Sequence, residues 1–217
     1  MRRNVLIAGA GPGVSGSLAR IYAAEGGSVG LLGAEEQVLD ELRAEIDTAG
    51  AMAGSTVVDL TDDAATRDAV TRLGEYVGHL DVVHFNPSAY REKDPLSLTP
   101  DELLDDIRLG VGALLTVVQA ARPFLRNGSR ITVTGSMAAD RPWHGAASLG
   151  VQKAGVQNLV HSIDATLKDD GIRAVSVTVR GLLAKEGPFA PDNVAAALRA
   201  AIDQDDAAWR TEIPYEG

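Results

Sequence analysis

Apolar residues along the chain gather in short runs: "NVLIAG", "SVGLLG", "STVVDL", "LDVVHFN", "RITVTGS" and "IRAVSVTV". Most do not alternate apolar with polar, as a strand with one wet face would. Runs this short, rich in Val, Ile and Leu, predict strands buried on both faces. Helix-like stretches lie between them. The first covers about residues 14 to 25 and stops at Gly26-Gly27; the second covers about 35 to 49. A third starts after Thr61-Asp62, whose side chains can cap free amides. A fourth starts at "TPDE", with Thr99 as cap, Pro100 in the first turn and Glu102 closing a capping box. It is expected to run to Asn127-Gly128. The fifth covers about 146 to 170 and stops at Gly171. Beyond residue 182 the pattern loosens, to a short helix near 193 to 202 and a last edge strand at "RTEIPYE".

Strand and helix alternating this regularly predict parallel strands joined by right-handed crossovers. The expected fold class is α/β: a Rossmann-type doubly wound parallel sheet with helices on both faces. The 217 residues fit one dinucleotide-binding domain, 1–217, which can bury roughly 70% of its unfolded surface. Residues 182–217 are expected to form a short substrate or oligomerisation tail. The formal charge of −10 argues against non-specific nucleic acid or anionic membrane as a partner. The opening "MRRNVLIAGAGPG" has a basic start and an apolar run, but the run breaks into glycines and a proline. It reads as a buried strand entering a turn rather than a signal peptide. No run approaches the ~20 apolar residues of a membrane span. A cytoplasmic protein is expected, and the absence of cysteine is consistent with that.

Candidate chemistry starts at the glycines after the first strand. In a doubly wound sheet that turn meets a phosphate: glycines let the backbone approach, and the helix start offers free N–H groups. Two spacings are present. Gly11, Gly13 and Gly16 give GxGxxG, displaced from the strand end. Gly9, Gly13 and Ser15 follow the strand directly, with Val14 opening the helix. A Walker loop is excluded, because Ser17 and Leu18 stand after Gly16. A tight turn that binds nothing is the plain alternative. At the end of strand two, where an acid reads ribose hydroxyls or an arginine admits a 2′-phosphate, the chain has Gly33-Ala34-Glu35. NAD and NADP both stay open.

Further motifs follow in order: Asp59-Leu60 after strand three, "FNPS" at residues 85–88 after strand four, "ITVTGS" ending at Ser136, and Lys153 in the fifth helix. In order and spacing, residues 3 to 181 resemble the short-chain dehydrogenase/reductase family. The resemblance implies NAD or NADP as cofactor and a small-molecule substrate. It implies that Gly9, Gly13, Val14 and Ser15 form the pyrophosphate loop and that Asp59 and Leu60 lie at the adenine. Asn86 is retained from the family's strand-four motif, with Pro87 after it. Lys153 would bind the nicotinamide ribose, and Ser136 would steady a substrate carbonyl. A homodimer or homotetramer, joined through helices four and five, is also implied.

The same pattern places a tyrosine acid/base at residue 149, where this chain has Leu149. A leucine neither donates nor accepts a proton. Leu109 or Gly110 falls where the family's relay asparagine is expected, and Arg180-Gly181 replaces a Pro-Gly. Tyr90, on the rim after strand four, and His144, on the loop before helix five, are the candidates to replace the tyrosine; both are also ordinary loop residues. Lys153 could be a solvated surface lysine, Ser136 a strand-end hydroxyl and Asp59 a helix cap. Three functions stay open: an oxidoreductase with a non-standard proton donor, acting on a small carbonyl, imine or activated alkene; a non-redox lyase, isomerase or cyclase on the same scaffold; and a silent dinucleotide-binding sensor or subunit.

Overall fold

A computed structural model describes residues 2–217. Its strands are β1 (Asn4–Ala8), β2 (Ser28–Gly33), β3 (Met52–Val57), β4 (Leu80–Phe85), β5 (Leu125–Ser136), β6 (Arg173–Val179) and β7 (Glu212–Tyr215). They form one seven-stranded sheet in the order β3-β2-β1-β4-β5-β6-β7, parallel throughout. The helices are α1 (Val14–Ala24), α2 (Glu36–Thr48), α3 (Asp63–Val77), α4 (Pro100–Ile107), α5 (Ala113–Ala121), α6 (Ala147–Leu167) and α7 (Pro191–Ala201). This is the Rossmann-type doubly wound sheet that the hydrophobic pattern predicts.

Side chains leave a strand on alternate faces, and the cores divide accordingly. From β1, Val5 and Ile7 join the core under α1, α2 and α7. Leu6 and Ala8 join the core under α3, α5 and α6. Each fully buried Val, Leu or Ile side chain contributes roughly 1.5–3 kcal/mol, and Ala8 less. The unbroken apolar runs of the central strands follow from having helices on both sides.

Three elements differ from the expected layout. The third strand lies at the sheet edge, three residues earlier than expected, and is not buried on both faces: Met52 and Val57 are exposed. The fourth helix does not reach Asn127-Gly128. It passes through a π-helical turn at Arg108–Gly112, resumes as α5 and stops at Ala121. Pro123, with no N–H to donate, lies in the short turn that follows. Leu125 already pairs with β4, and the register slips before Arg130. Third, Glu35 does not begin α2 but precedes it as the N-cap residue. The caps are otherwise as expected. Asp62 accepts from Ala65 N at 3.0 Å, and Thr99 and Glu102 form the reciprocal box. The tail belongs to the domain, since α7 completes one core and β7 pairs with β6.

From β1 the chain goes outward through β2 to β3, then returns to place β4 on the opposite side of β1. The loops after β1 and β4 therefore diverge. A crevice opens at the carboxyl ends of the strands, at this switch point.

Candidate dinucleotide crevice

The crevice has a volume of about 850 Å³. Its floor is the turn after β1. Gly9 has φ +80°, and a Cβ there would lie 2.7 Å from the Pro87 ring. Only glycine combines that backbone with that approach. The Gly9 and Ala10 amides both donate to Leu32 O, at 2.9 and 2.8 Å, tying the turn to β2. Gly13 precedes α1 as its N-cap residue, and a Cβ there would meet nothing within 4 Å. The open space over Gly13, beside the free amides at the start of α1, fits an approaching phosphate. Val14 lines the crevice; Ser15 does not. Ser15 is buried, and its Oγ accepts from Gly11 N at 2.9 Å, so it braces the loop from within.

At one end, beyond β2 and β3, the crevice is lined by Ala34, Glu35, Asp59 and Leu60. Asp59 does not cap α3. Its Oδ1 accepts from Thr61 N at 2.9 Å and Thr61 Oγ1 at 2.8 Å. These hydrogen bonds, to the backbone amide first, lower its pKa, so Asp59 is a fixed carboxylate.

The other end is lined by Thr134, Ser136, Leu109, Leu149 and Lys153. Lys153 is not a solvated surface lysine. It is buried, and its Nζ donates to Thr134 O at 3.0 Å. An ammonium carries three donors, and this carbonyl takes one. Burial pushes its pKa down to about 8. A cation held under-partnered beside a crevice suits an anionic or polyhydroxyl ligand. Asn86 bridges to the floor: Nδ2 donates to Gly9 O at 3.4 Å, and Oδ1 accepts from Thr134 Oγ1 at 2.8 Å. Ser136 Oγ accepts from Ala138 N at 3.2 Å and still faces the crevice.

Leu149 and Lys153, one helical turn apart, share the crevice face of α6. Leu109, in the π-helical turn, faces the same space. Tyr90 lines the rim with its ring exposed. His144 is not brought to this site. It lines a separate, mostly apolar hollow with Trp143, Leu98, Leu103 and Val151. Among the described residues no group of three or more His, Cys, Asp or Glu could hold a metal, and no helix is long and apolar enough to cross a membrane.

Three site residues escape a reading based on motifs. Thr134 supplies the carbonyl under Lys153 and the hydroxyl on Asn86. His84, fully buried in β4, lies against Thr132 and Thr134. Gln152, also fully buried, fixes the rim loop by hydrogen bonds to Ala89 N and O at 3.0 and 3.2 Å. The available signal was polarity out of place: a histidine inside "LDVVHFN", threonines inside "ITVTGS" and a glutamine beside the lysine.

Comparison with known proteins agrees with the geometry. The profile of the short chain dehydrogenase family matches residues 3–184. Oxidoreductase UcpA of Salmonella typhimurium is 24% identical over 214 residues, covering 92% of this chain and 80% of its own. The uncharacterized oxidoreductase YhxD of Bacillus subtilis is 26% identical over 178 residues, covering 81% of this chain and 60% of its own. A short-chain dehydrogenase from Burkholderia cenocepacia J2315, solved in complex with NADP, superposes with a TM-score of 0.89 at 24% identity, covering 100% of this chain and 96% of that one. At that identity the superposition establishes the fold.

Proposed function

The chain belongs to the short-chain dehydrogenase family, and from that premise we propose that it is an NAD(P)-dependent oxidoreductase working without the tyrosine that the family pattern places at residue 149. Its substrate is a small carbonyl, imine or activated alkene. The observation that carries this reading is Lys153: buried, with one acceptor among the described residues, on the wall of a crevice whose floor is Gly9. The turn from Gly9 to Gly13 and the start of α1 would hold a pyrophosphate. Asp59 and Leu60 would flank the adenine, and Asn86 and Lys153 the nicotinamide ribose. A bound nicotinamide would supply the hydride. Ser136, which lines the crevice, would steady the substrate's acceptor atom, and with Leu149 on the wall the balancing proton would come from water or from a polar rim group such as Tyr90.

The charges of the crevice favour NAD(H) over NADP(H). Among its described lining residues the charged ones are Glu35 and Asp59 at the β2–β3 end and Lys153 at the β5 end. A 2′-phosphate beyond β2 would meet two carboxylates and no cation. Arg20, on the neighbouring helix, is engaged with Glu45 at 2.7 Å. Leu183, at the start of the tail, lines the mouth and would cover substrate. Exposed Leu104, Leu115 and Val151 on α4, α5 and α6 suit a homo-oligomer formed through these helices.

Titration with NADH and NADPH tests this reading, and failure of both to bind at millimolar concentration sinks it. Leu149→Tyr then tests the rest. Gain of weak carbonyl reduction is expected if the remaining site is competent. One observation favours a second reading: Leu109 and Leu149 are both hydrocarbons beside Lys153, as in a dinucleotide-binding subunit without turnover. That reading gains if Leu149→Tyr binds NADH and stays inert.

A further inference from the structure

His84 is an anomaly in the core. It sits in a central strand, and none of its surface reaches solvent. Its neighbour Val82 packs under α1 and α7, and Phe85 packs on the opposite side; alternation therefore puts the ring on the α1/α7 side. Lys153 reaches the sheet from the other side, from α6. The two meet at Thr134.

The hydrogen bonds fix the direction of this chain of groups. Asn86 Nδ2 points at Gly9 O, so its Oδ1 faces Thr134 and takes the hydroxyl proton at 2.8 Å. Toward His84 Nε2, at 3.4 Å, Thr134 Oγ1 is then left as an acceptor. This assigns the ring hydrogen to Nε2, with Nδ1 accepting from Thr132 Oγ1 at 2.8 Å. Burial holds the imidazole pKa at about 3, so the ring stays neutral. A buried polar ring costs free energy unless its hydrogen bonds are made; here one is made in the core, to Thr132, and the other leads through Thr134 to the crevice.

We propose that His84 is a positioning residue for the dinucleotide site: through Thr134 it fixes Asn86 on one side and the carbonyl beneath Lys153 on the other. The proposal rests on reading the crevice as a dinucleotide site, and one of its tests needs no ligand. His84→Val removes the ring's polarity and leaves an apolar side chain that a β-strand accepts. His84→Gln keeps a donor near the Nε2 position. Thr134→Val removes the hydroxyl but keeps the carbonyl.

Two readouts apply to the whole chain: NADH affinity, and the 15N-lysine NMR signal of the Lys153 ammonium at pH 6 without cofactor, assigned by its loss in Lys153→Met. In His84→Val the ammonium signal is expected to broaden into exchange with water and NADH affinity to fall about 10-fold, with native circular dichroism retained. His84→Gln should recover most of both. Thr134→Val should follow His84→Val, and it serves as the test should His84→Val fail to fold. An unchanged ammonium signal in a folded His84→Val or Thr134→Val protein overturns the proposal. So does an equal loss in His84→Gln, which would mean the ring only fills space. If the unaltered chain binds no NADH, the dinucleotide reading fails while the NMR arm still decides whether His84 positions Lys153.

Discussion

The two ends of the crevice are built differently. At the β2–β3 end the groups are exposed and locally braced: Asp59 is held by Thr61, two residues away, and Glu35 precedes a helix. At the β5 end the groups are buried, as Lys153 is, or half-buried, and joined over long stretches of sequence. Lys153 reaches back to Thr134, Thr134 to Asn86, and Asn86 to Gly9. Exposed, locally braced charges tolerate change, because water replaces what a substitution removes. A buried, long-range network does not, because each member leaves another without a partner. Substitutions at the β5 end should therefore cost far more binding than comparable ones at the β2–β3 end.

Lys153→Met breaks the network where it matters most. Loss of a desolvated cation and its charge-assisted hydrogen bonds should weaken NADH binding by about 100-fold. Stability should not fall in step. The folded pKa of Lys153 is about 8 against an ordinary 10.5, so between these values the unfolded chain holds a proton that the folded chain has released. Stability due to this group therefore rises with pH across that window, by about 3 kcal/mol in total, and at pH 7 the buried charge is a burden. Urea denaturation of both proteins at pH 7 and pH 10 isolates the effect. The unaltered chain should gain on Lys153→Met as pH rises, and NADH affinity should decline above pH 8 as the amine loses its charge. A Lys153→Met protein that binds NADH normally would erase the contrast between the two ends.

Gly9→Ala comes next, at the hinge between the ends. The positive φ and the nearby Pro87 ring should together cost about 1–3 kcal/mol. Pushing Pro87 aside also disturbs Asn86, so NADH affinity should drop about 10-fold. Gly13→Ala is the control. Space there is open in the structure, so stability should hold while affinity falls, because a methyl group would stand where a phosphate approaches. If both substitutions harm stability equally, the turn is simply a turn.

What the sequence made legible follows the same division. Parallel strands buried by helices print continuous apolar runs, glycines mark the turn after β1, and "TPDE" announces a capping box; each depends on neighbours in the chain. The turn at Arg108–Gly112 did not print, because a π-helical turn keeps helical periodicity on both sides. The end of α5 was placed too late, because Pro123 lies ahead of a more conspicuous Asn127-Gly128. His144 looked like a proton donor by its chemistry, yet its loop carries it to a separate hollow. Leu149 and Lys153 were paired by their spacing. The carbonyl that receives the lysine comes from a strand 19 residues away, and no local pattern could show it.

The smallest effect belongs to Glu35, at the tolerant end. Its carboxylate faces water and lines the place where a 2′-phosphate would lie, and it makes no ion pair among the described residues. Glu35→Gln should leave folding and NADH affinity within about twofold, since surface substitutions of this kind shift little. It should improve NADPH affinity about three- to fivefold at low ionic strength, because one repulsive charge is gone. Most of that gain should vanish at 0.5 M salt, where screening shortens the reach of Asp59 as well. Competition titrations of NADH against NADPH at two salt concentrations measure it directly. Equal affinities in the unaltered chain would mean that the acidic end does not discriminate, and a gain that survives high salt would point to a steric cause.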